Sequence, residues 1–109
     1  MKTLTLSLKR KWFDMIKSSE KKEEYREIKP YYTSRFTIQA SDDYDLILSG
    51  EKSATFQYFD RIVFTLGYPK ADDTERRLTF KNPKIRIGTG NPEWGAEHGK
   101  LYFVISWGE

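Results

Sequence analysis

The hydrophobic period changes within the first 18 residues, and this change constrains the fold more than any other feature. Leucines occupy alternate positions of Thr3–Leu8, which is the period-two pattern of a strand with one buried face. Trp12, Met15 and Ile16 then follow at spacings that place them on one face of a helix. The sequence therefore predicts a strand followed directly by a short amphipathic helix over residues 9–18.

Three later segments have the composition of strands, because they are rich in β-branched and aromatic residues and are bounded by turn residues. They are Tyr58–Leu66, Arg77–Ile87 with a break at Pro83, and Lys100–Trp107. A glycine-rich loop, residues 88–96, separates the last two. Strands dominate and the strand–helix–strand alternation of a parallel sheet is not repeated. We therefore predict an α+β fold, a mixed β-barrel of five or six strands with one or two short helices.

The segment Lys21–Ile28 is ambiguous, since it is rich in helix formers but has no apolar stripe at helical spacing. Pro30 stops any continuation of a helix. We interpret this segment as a strand, which places Glu24, Arg26 and Ile28 on one face. The residues after Pro30 are expected to form a turn or a single helical turn.

The length and the residue types that are rare or missing limit the classes of function. A chain of 109 residues matches one domain, residues 1–109. It has no cysteine and a single histidine, His98, so disulfides, thiolate zinc sites and His–His metal pairs are excluded within one chain. No cofactor is expected. A signal-peptide pattern and an apolar stretch of membrane-spanning length are both missing, which predicts a cytoplasmic protein without membrane association.

The charge is distributed unevenly along the chain although the net charge is only +3. Residues 1–36 contain 10 Lys and Arg against 5 Asp and Glu, whereas residues 37–60 contain 1 against 5. A basic segment of this kind is typical of a face that binds a polyanion, although solvated surface lysines give the same pattern. The acidic residues 37–58 are expected to be a variable insertion.

The segment Ser19–Arg26 resembles the ASCH-domain motif Gly-x-Lys-x-x-Glu-x-Arg, with Lys21, Glu24 and Arg26 at its defining positions. Ser19 stands where the family has glycine, and glycine is the residue that takes positive φ most freely. Residues 85–96 also resemble small ASCH proteins of the PUA-like superfamily, so the resemblance covers residues 1–36 and roughly 59–107. It implies a PUA-like barrel with a cleft beside the first helix that binds RNA.

The resemblance also implies a possible hydrolase, because some relatives are ribonucleases or amidohydrolases acting on acetylated cytidine. Those amidohydrolases have threonine where this chain has Glu24, so their nucleophile is missing and the same reaction is not expected. If the chain is an enzyme, Lys21 and Glu24 are the candidate catalytic acid–base pair. A third alternative is a protein-interaction module in which the acidic middle segment faces a partner.

The candidate nucleic-acid-binding residues are cations and aromatics placed where a nucleotide could reach them. Lys9 and Arg10 lie at a strand-to-helix junction, where helix N–H groups attract anions. Trp94 and Tyr31 could stack on bases, but Trp94 could equally close one end of the barrel. Arg26 could contact a phosphate or form an ion pair with Glu24. The full set is Lys9, Arg10, Lys21, Glu24, Arg26, Tyr31 and Trp94, with RNA or a nucleotide as the expected partner.

Overall fold

A computed structural model describes residues 1–38 and 56–108 of the chain. Along these residues the elements are β1 (Thr3–Leu8), α1 (Arg10–Lys17), β2 (Glu24–Glu27), α2 (Pro30–Phe36), β3 (Arg61–Leu66), β4 (Arg77–Thr89) and β5 (Leu101–Gly108). Two single 3-10 turns, Thr74–Arg76 and Pro92–Trp94, precede β4 and β5. Among these residues, no helix is long and apolar enough to cross a membrane.

The five strands form one mixed sheet in the order β1-β3-β4-β5-β2. β1 and β3 are parallel, whereas β3 pairs with β4, and β5 with β2, in antiparallel fashion. The predicted α+β class, the strand number and the two short helices are confirmed. The predicted barrel is not confirmed, because β1 and β2 end the strand order and the sheet of the described residues is not closed.

The local predictions are mostly confirmed, with two differences. The helix predicted over residues 9–18 is α1, and the centre of Lys21–Ile28 is strand β2. The single turn expected after Pro30 is a seven-residue helix, α2, since proline is well suited to the first helical position. The break predicted at Pro83 is wrong, because β4 runs through it. Of the predicted insertion, residues 39–55 lie outside the described residues.

The described chain divides into two compact units. Of the described residues, the first comprises 1–23, 59–84 and 106–108, and the second comprises 24–38, 56–58 and 85–105. In the first, the alternating leucines of β1 are buried together with Phe13 and Ile16 of α1 and with Ile62 and Phe64 of β3. This burial is the reason for the change of period in the sequence, since the strand and the helix each present one apolar face to the same core.

The core of the second unit contains the inward residues of β5 and the end of α2. Phe103, Val104 and Ile105 are fully buried, and the Phe103 ring meets the Phe36 ring edge to face at 5.3 Å between centroids. β2 pairs with β5 from Glu24↔Ile105 to Glu27↔Tyr102. This pairing fixes which side chains of the ASCH-like motif point toward the core and which point away.

Candidate nucleic-acid interface

The turn after α1 has the backbone conformation for which the ASCH motif has glycine. Ser19 has φ of 67°, in the left-handed region, and its N–H donates to the Ile16 carbonyl at 3.0 Å. The Lys21 N–H then donates to the Met15 carbonyl at 2.9 Å. The turn therefore keeps the conformation that the family's glycine allows, although serine carries a Cβ.

Lys21 follows this turn in the first unit and is buried, with 2% of its surface exposed. Its Nζ lies 4.7 Å from the centre of the Trp12 ring, and the Nζ of Lys11 lies 4.8 Å from the same ring. An ammonium over an indole face is attracted by the negative charge of the ring's π face, and this attraction strengthens when water is excluded. Two lysine ammonium groups therefore lie near the Trp12 ring of α1, one from a buried residue and one from an exposed residue.

Glu24 and Arg26 lie on the same face of β2 in the second unit and form an ion pair. Arg26 Nη2 donates to Glu24 Oε2 at 2.9 Å, and both side chains are largely buried. Arg26 Nη1 also donates to the hydroxyl of Tyr32 on α2 at 3.1 Å, and its guanidinium lies 5.7 Å from the centre of that ring. The ion-pair alternative for Arg26 is thus realised, and the pair is tied to α2.

Helix α2 presents an exposed aromatic ring with an arginine beside it. Tyr31 is 59% exposed, and the guanidinium of Arg35, one helical turn later, lies 5.7 Å from its ring centre. Tyr32 is half-buried, meets the Tyr31 ring edge to face at 5.0 Å, and has the Nζ of Lys29 at 5.3 Å. One tyrosine of the pair is exposed and the other partly covered.

Trp94 lies in a short turn that is anchored at both ends. The Asn91 side chain accepts a hydrogen bond from the Glu93 N–H at 3.0 Å, and Gly95 ends the turn with φ of 101°. The Asn91 N–H donates to the hydroxyl of Tyr25 on β2 at 2.9 Å. Trp94 itself is half-buried, so part of its ring is available to a ligand.

Lys9 and Arg10 are exposed at the start of α1. Arg10 is 3.9 Å from Asp14, a pair in which both side chains are mostly solvated, so it restrains Arg10 little. With Lys21 they belong to the first unit, whereas Glu24, Arg26, Tyr31 and Trp94 belong to the second. Within the second unit the structure joins Glu24 and Arg26 directly.

The predicted site omitted Arg35, Lys29 and Tyr25. Tyr31 and Arg35 are spaced four residues apart after a proline, which is a signal for a helical pair once α2 is extended beyond one turn. The part of Tyr25 that matters is its hydroxyl, which holds the Trp94 turn from a residue 66 positions earlier in the chain. No local pattern could have indicated that contact.

Acidic and histidine side chains of the described residues do not form a group of three that could hold a metal ion. Comparisons with protein-family models, with curated proteins and with solved structures find no match to this chain. No family is therefore shown, and the resemblance of residues 19–26 to the ASCH motif stays a prediction.

Proposed function

We propose that the chain is a cytoplasmic nucleic-acid-binding domain of the ASCH type, with a PUA-like barrel as its complete fold and single-stranded RNA as its ligand. The observation that carries the proposal is the exposed Tyr31 ring with a guanidinium beside it on α2. Single-stranded RNA sites combine aromatic rings, on which unpaired bases stack, with cations that neutralise the backbone. A solvated tyrosine next to Arg35 supplies both groups.

Three cations of the predicted site, Arg26, Lys9 and Arg10, support the same function through their surroundings. Arg26 is held by Glu24 and Tyr32 in one orientation, so its fork is ordered before any ligand arrives. Such preorganisation lowers the entropy that binding costs. Lys9 and Arg10 of the first unit, both exposed, add positive charge for the phosphate backbone.

The hydrolase alternative is less well supported by the same contacts. It assigns acid–base chemistry to Lys21 and Glu24. The Glu24 carboxylate already accepts from Arg26 at 2.9 Å, and the buried Lys21 ammonium lies against Trp12. Both groups are engaged by the protein itself, which favours structural and binding roles over proton transfer to a substrate.

The protein-interaction alternative depends on acidic residues of the middle segment. Most of them fall within residues 39–55, outside the described part of the chain. No observation on the described residues favours this alternative.

Substitution of Tyr31 tests the proposed function. We expect Tyr31→Ala to weaken binding of a single-stranded RNA oligomer about 5- to 150-fold, because one base–aromatic stack contributes about 1–3 kcal/mol. Tyr31→Phe should bind almost as the wild type does, since it keeps the ring and loses only the hydroxyl that accepts from Arg35. Fluorescence polarisation of labelled RNA measures both.

Tyr68 offers a matched control, because it is also a tyrosine, is 96% exposed and lies in the connection between β3 and β4. Tyr68→Ala removes the same side chain without touching α2, so RNA affinity should not change. The proposed site would be excluded if Tyr31→Ala and Tyr68→Ala lost RNA affinity equally, or if the wild type bound no RNA at low salt.

A further inference from the structure

A second cationic surface lies on the first unit and is formed by residues that the predicted site does not include. The outward side chains of β1, β3 and β4 alternate with the buried ones, and we call this surface the outer face. Its residues are Thr3, Thr5, Ser7, Arg61, Val63, Arg77, Thr79 and Lys81. Thr65 shares their register but is buried. The opposite side of the same strands carries the core residues Leu4, Ile62 and Phe64.

Two cations stand directly opposite each other on the outer face. In the strand register Thr3 is beside Arg61, and Arg61 is opposite Lys81. Like charges opposite each other on neighbouring strands destabilise a sheet, and neither residue forms an ion pair within residues 1–38 and 56–108. Arg61 Nε instead donates to Thr3 Oγ1 at 2.8 Å. An anion bound between them would relieve the repulsion.

An irregularity in the backbone of β4 places a third cation, Lys84, beside Arg61 and Lys81 on the outer face. Asn82 has φ of 52°, and its N–H donates to the Asp60 carbonyl at 3.1 Å. Before it the exposed residues of the strand are Thr79 and Lys81, and after the half-buried Pro83 the next exposed residue is Lys84. Lys81 and Asn82 are consecutive exposed residues, and such an irregularity shifts the alternation of a strand as a β-bulge does. We therefore place Lys84 on the same side of the strand as Lys81.

The other residues of the outer face indicate what kind of partner it fits. Thr5 and Thr79 are exposed, and threonine hydroxyls, like Arg and Lys, are among the groups that contact phosphate and sugar in nucleic-acid complexes. None of the exposed large hydrophobic residues of the described chain lies on this face. An anchor for a lipid surface and an apolar centre for a protein interface are therefore both missing from it.

We propose that the outer face binds the phosphate backbone of a single-stranded nucleic acid, with Arg61, Lys81 and Lys84 as its phosphate contacts. This extends the proposed function and rests on it, because the ligand is again a single-stranded nucleic acid. Neighbouring strands lie about 4.8 Å apart and alternate residues about 6.8 Å apart along a strand, so an extended nucleic-acid chain would meet cations and hydroxyls at regular spacings.

The test compares two double variants, each of which removes one arginine and one lysine. Arg61→Gln with Lys81→Gln removes the opposed pair, and Arg76→Gln with Lys70→Gln removes one arginine and one lysine, both exposed, from the connection between β3 and β4. Binding of a 12-nucleotide single-stranded RNA is measured by fluorescence polarisation over a series of KCl concentrations. Thermal unfolding of each variant shows that it is folded.

We expect only the outer-face double variant to change the salt dependence. Each phosphate contact on a single strand contributes about 0.7 to the slope of log K against log[salt], so two lost contacts lower the slope by about 1.4. At 0.1 M KCl this corresponds to about 25-fold weaker binding, with 1 M as the reference. The variant should unfold at the same temperature as the wild type or higher, because the repulsion is gone.

The outcomes separate this inference from the proposed function. If the two double variants bind alike while Tyr31→Ala binds weakly, the outer face is not a contact surface and the α2 site stands. If the wild type binds no RNA, both fall. Loss of binding to vesicles of phosphatidylserine and phosphatidylcholine in the outer-face variant, with RNA binding unchanged, would also overturn the inference, since it would assign the face to a membrane.

Discussion

At the scale of single residues, the same group can serve both stability and binding. Arg26 is an example, because its guanidinium satisfies the buried Glu24 carboxylate. Removal of one partner of such a pair costs about 3–5 kcal/mol, since a buried charge is left uncompensated. Variants of Arg26 would therefore report on folding as much as on RNA, whereas Tyr31 is 59% exposed and its variants should disturb the fold less.

Ser19 gives a direct test of the motif turn. We expect Ser19→Gly to stabilise the protein by about 0.5–1 kcal/mol. Glycine removes the strain of about 1–2 kcal/mol that an L-residue has in the left-handed region. Part of this gain is lost because glycine also raises the conformational entropy of the unfolded chain. Ser19→Ala is the control, since alanine keeps the Cβ and should not stabilise. Urea denaturation measures both, and equal stabilities of the two variants would contradict a strained turn.

At the scale of the elements, periodicity was a good guide wherever one face of an element is buried. The alternating leucines of Thr3–Leu8 and the helical spacing of Trp12, Met15 and Ile16 correspond to β1 and α1. Only the centre of Lys21–Ile28 was predicted correctly, because the segment is mostly charged and has no repeating apolar positions to define its ends. Its strand conformation depends on pairing with β5, about 80 residues later, which local propensity does not contain.

Two further features of the elements could not be predicted for related reasons. β4 passes through Pro83, and Asn82 directly before it takes a positive φ, a conformation that asparagine tolerates better than most residues. The site was predictable in its motif residues but not in its organisation. The Glu24–Arg26 pair follows from their spacing on a strand, whereas the contact of Arg26 with Tyr32 requires the exact placement of α2 beside β2.

The turn that carries Trp94 depends on the absence of a side chain at Gly90. A Cβ at this position would lie 2.6 Å from a carbon of the Tyr25 ring and 2.7 Å from the Ala96 Cβ. We therefore expect Gly90→Ala to destabilise the protein by about 1–3 kcal/mol, the usual range for overpacking. Thr89→Ala, one residue earlier and exposed, should be nearly neutral. A stable Gly90→Ala protein in chemical denaturation would show that the Tyr25 contact is not rigid.

At the scale of the whole molecule, the net charge is too small to account for nucleic-acid binding by itself. A charge of +3 is screened within about 8 Å at physiological salt, so long-range attraction is weak. The proposed binding would then depend on local groups, namely the cations and rings of α2 and the outer face. Because phosphate contacts weaken steeply as the salt concentration rises, the unfolding temperature of the complex should also depend on salt.

We expect single-stranded RNA to raise the unfolding temperature in a salt-dependent way. A ligand at 100 times its Kd stabilises the folded state by about 2.7 kcal/mol, which for a chain of this size corresponds to a shift of about 10 °C. The shift should disappear in 0.5 M KCl, where phosphate contacts contribute little. A fully paired RNA duplex should give a smaller shift at equal concentration, because its bases are stacked on each other and cannot reach Tyr31. Equal shifts with duplex and single strand would mean that charge alone is recognised and that the exposed ring of α2 takes no part.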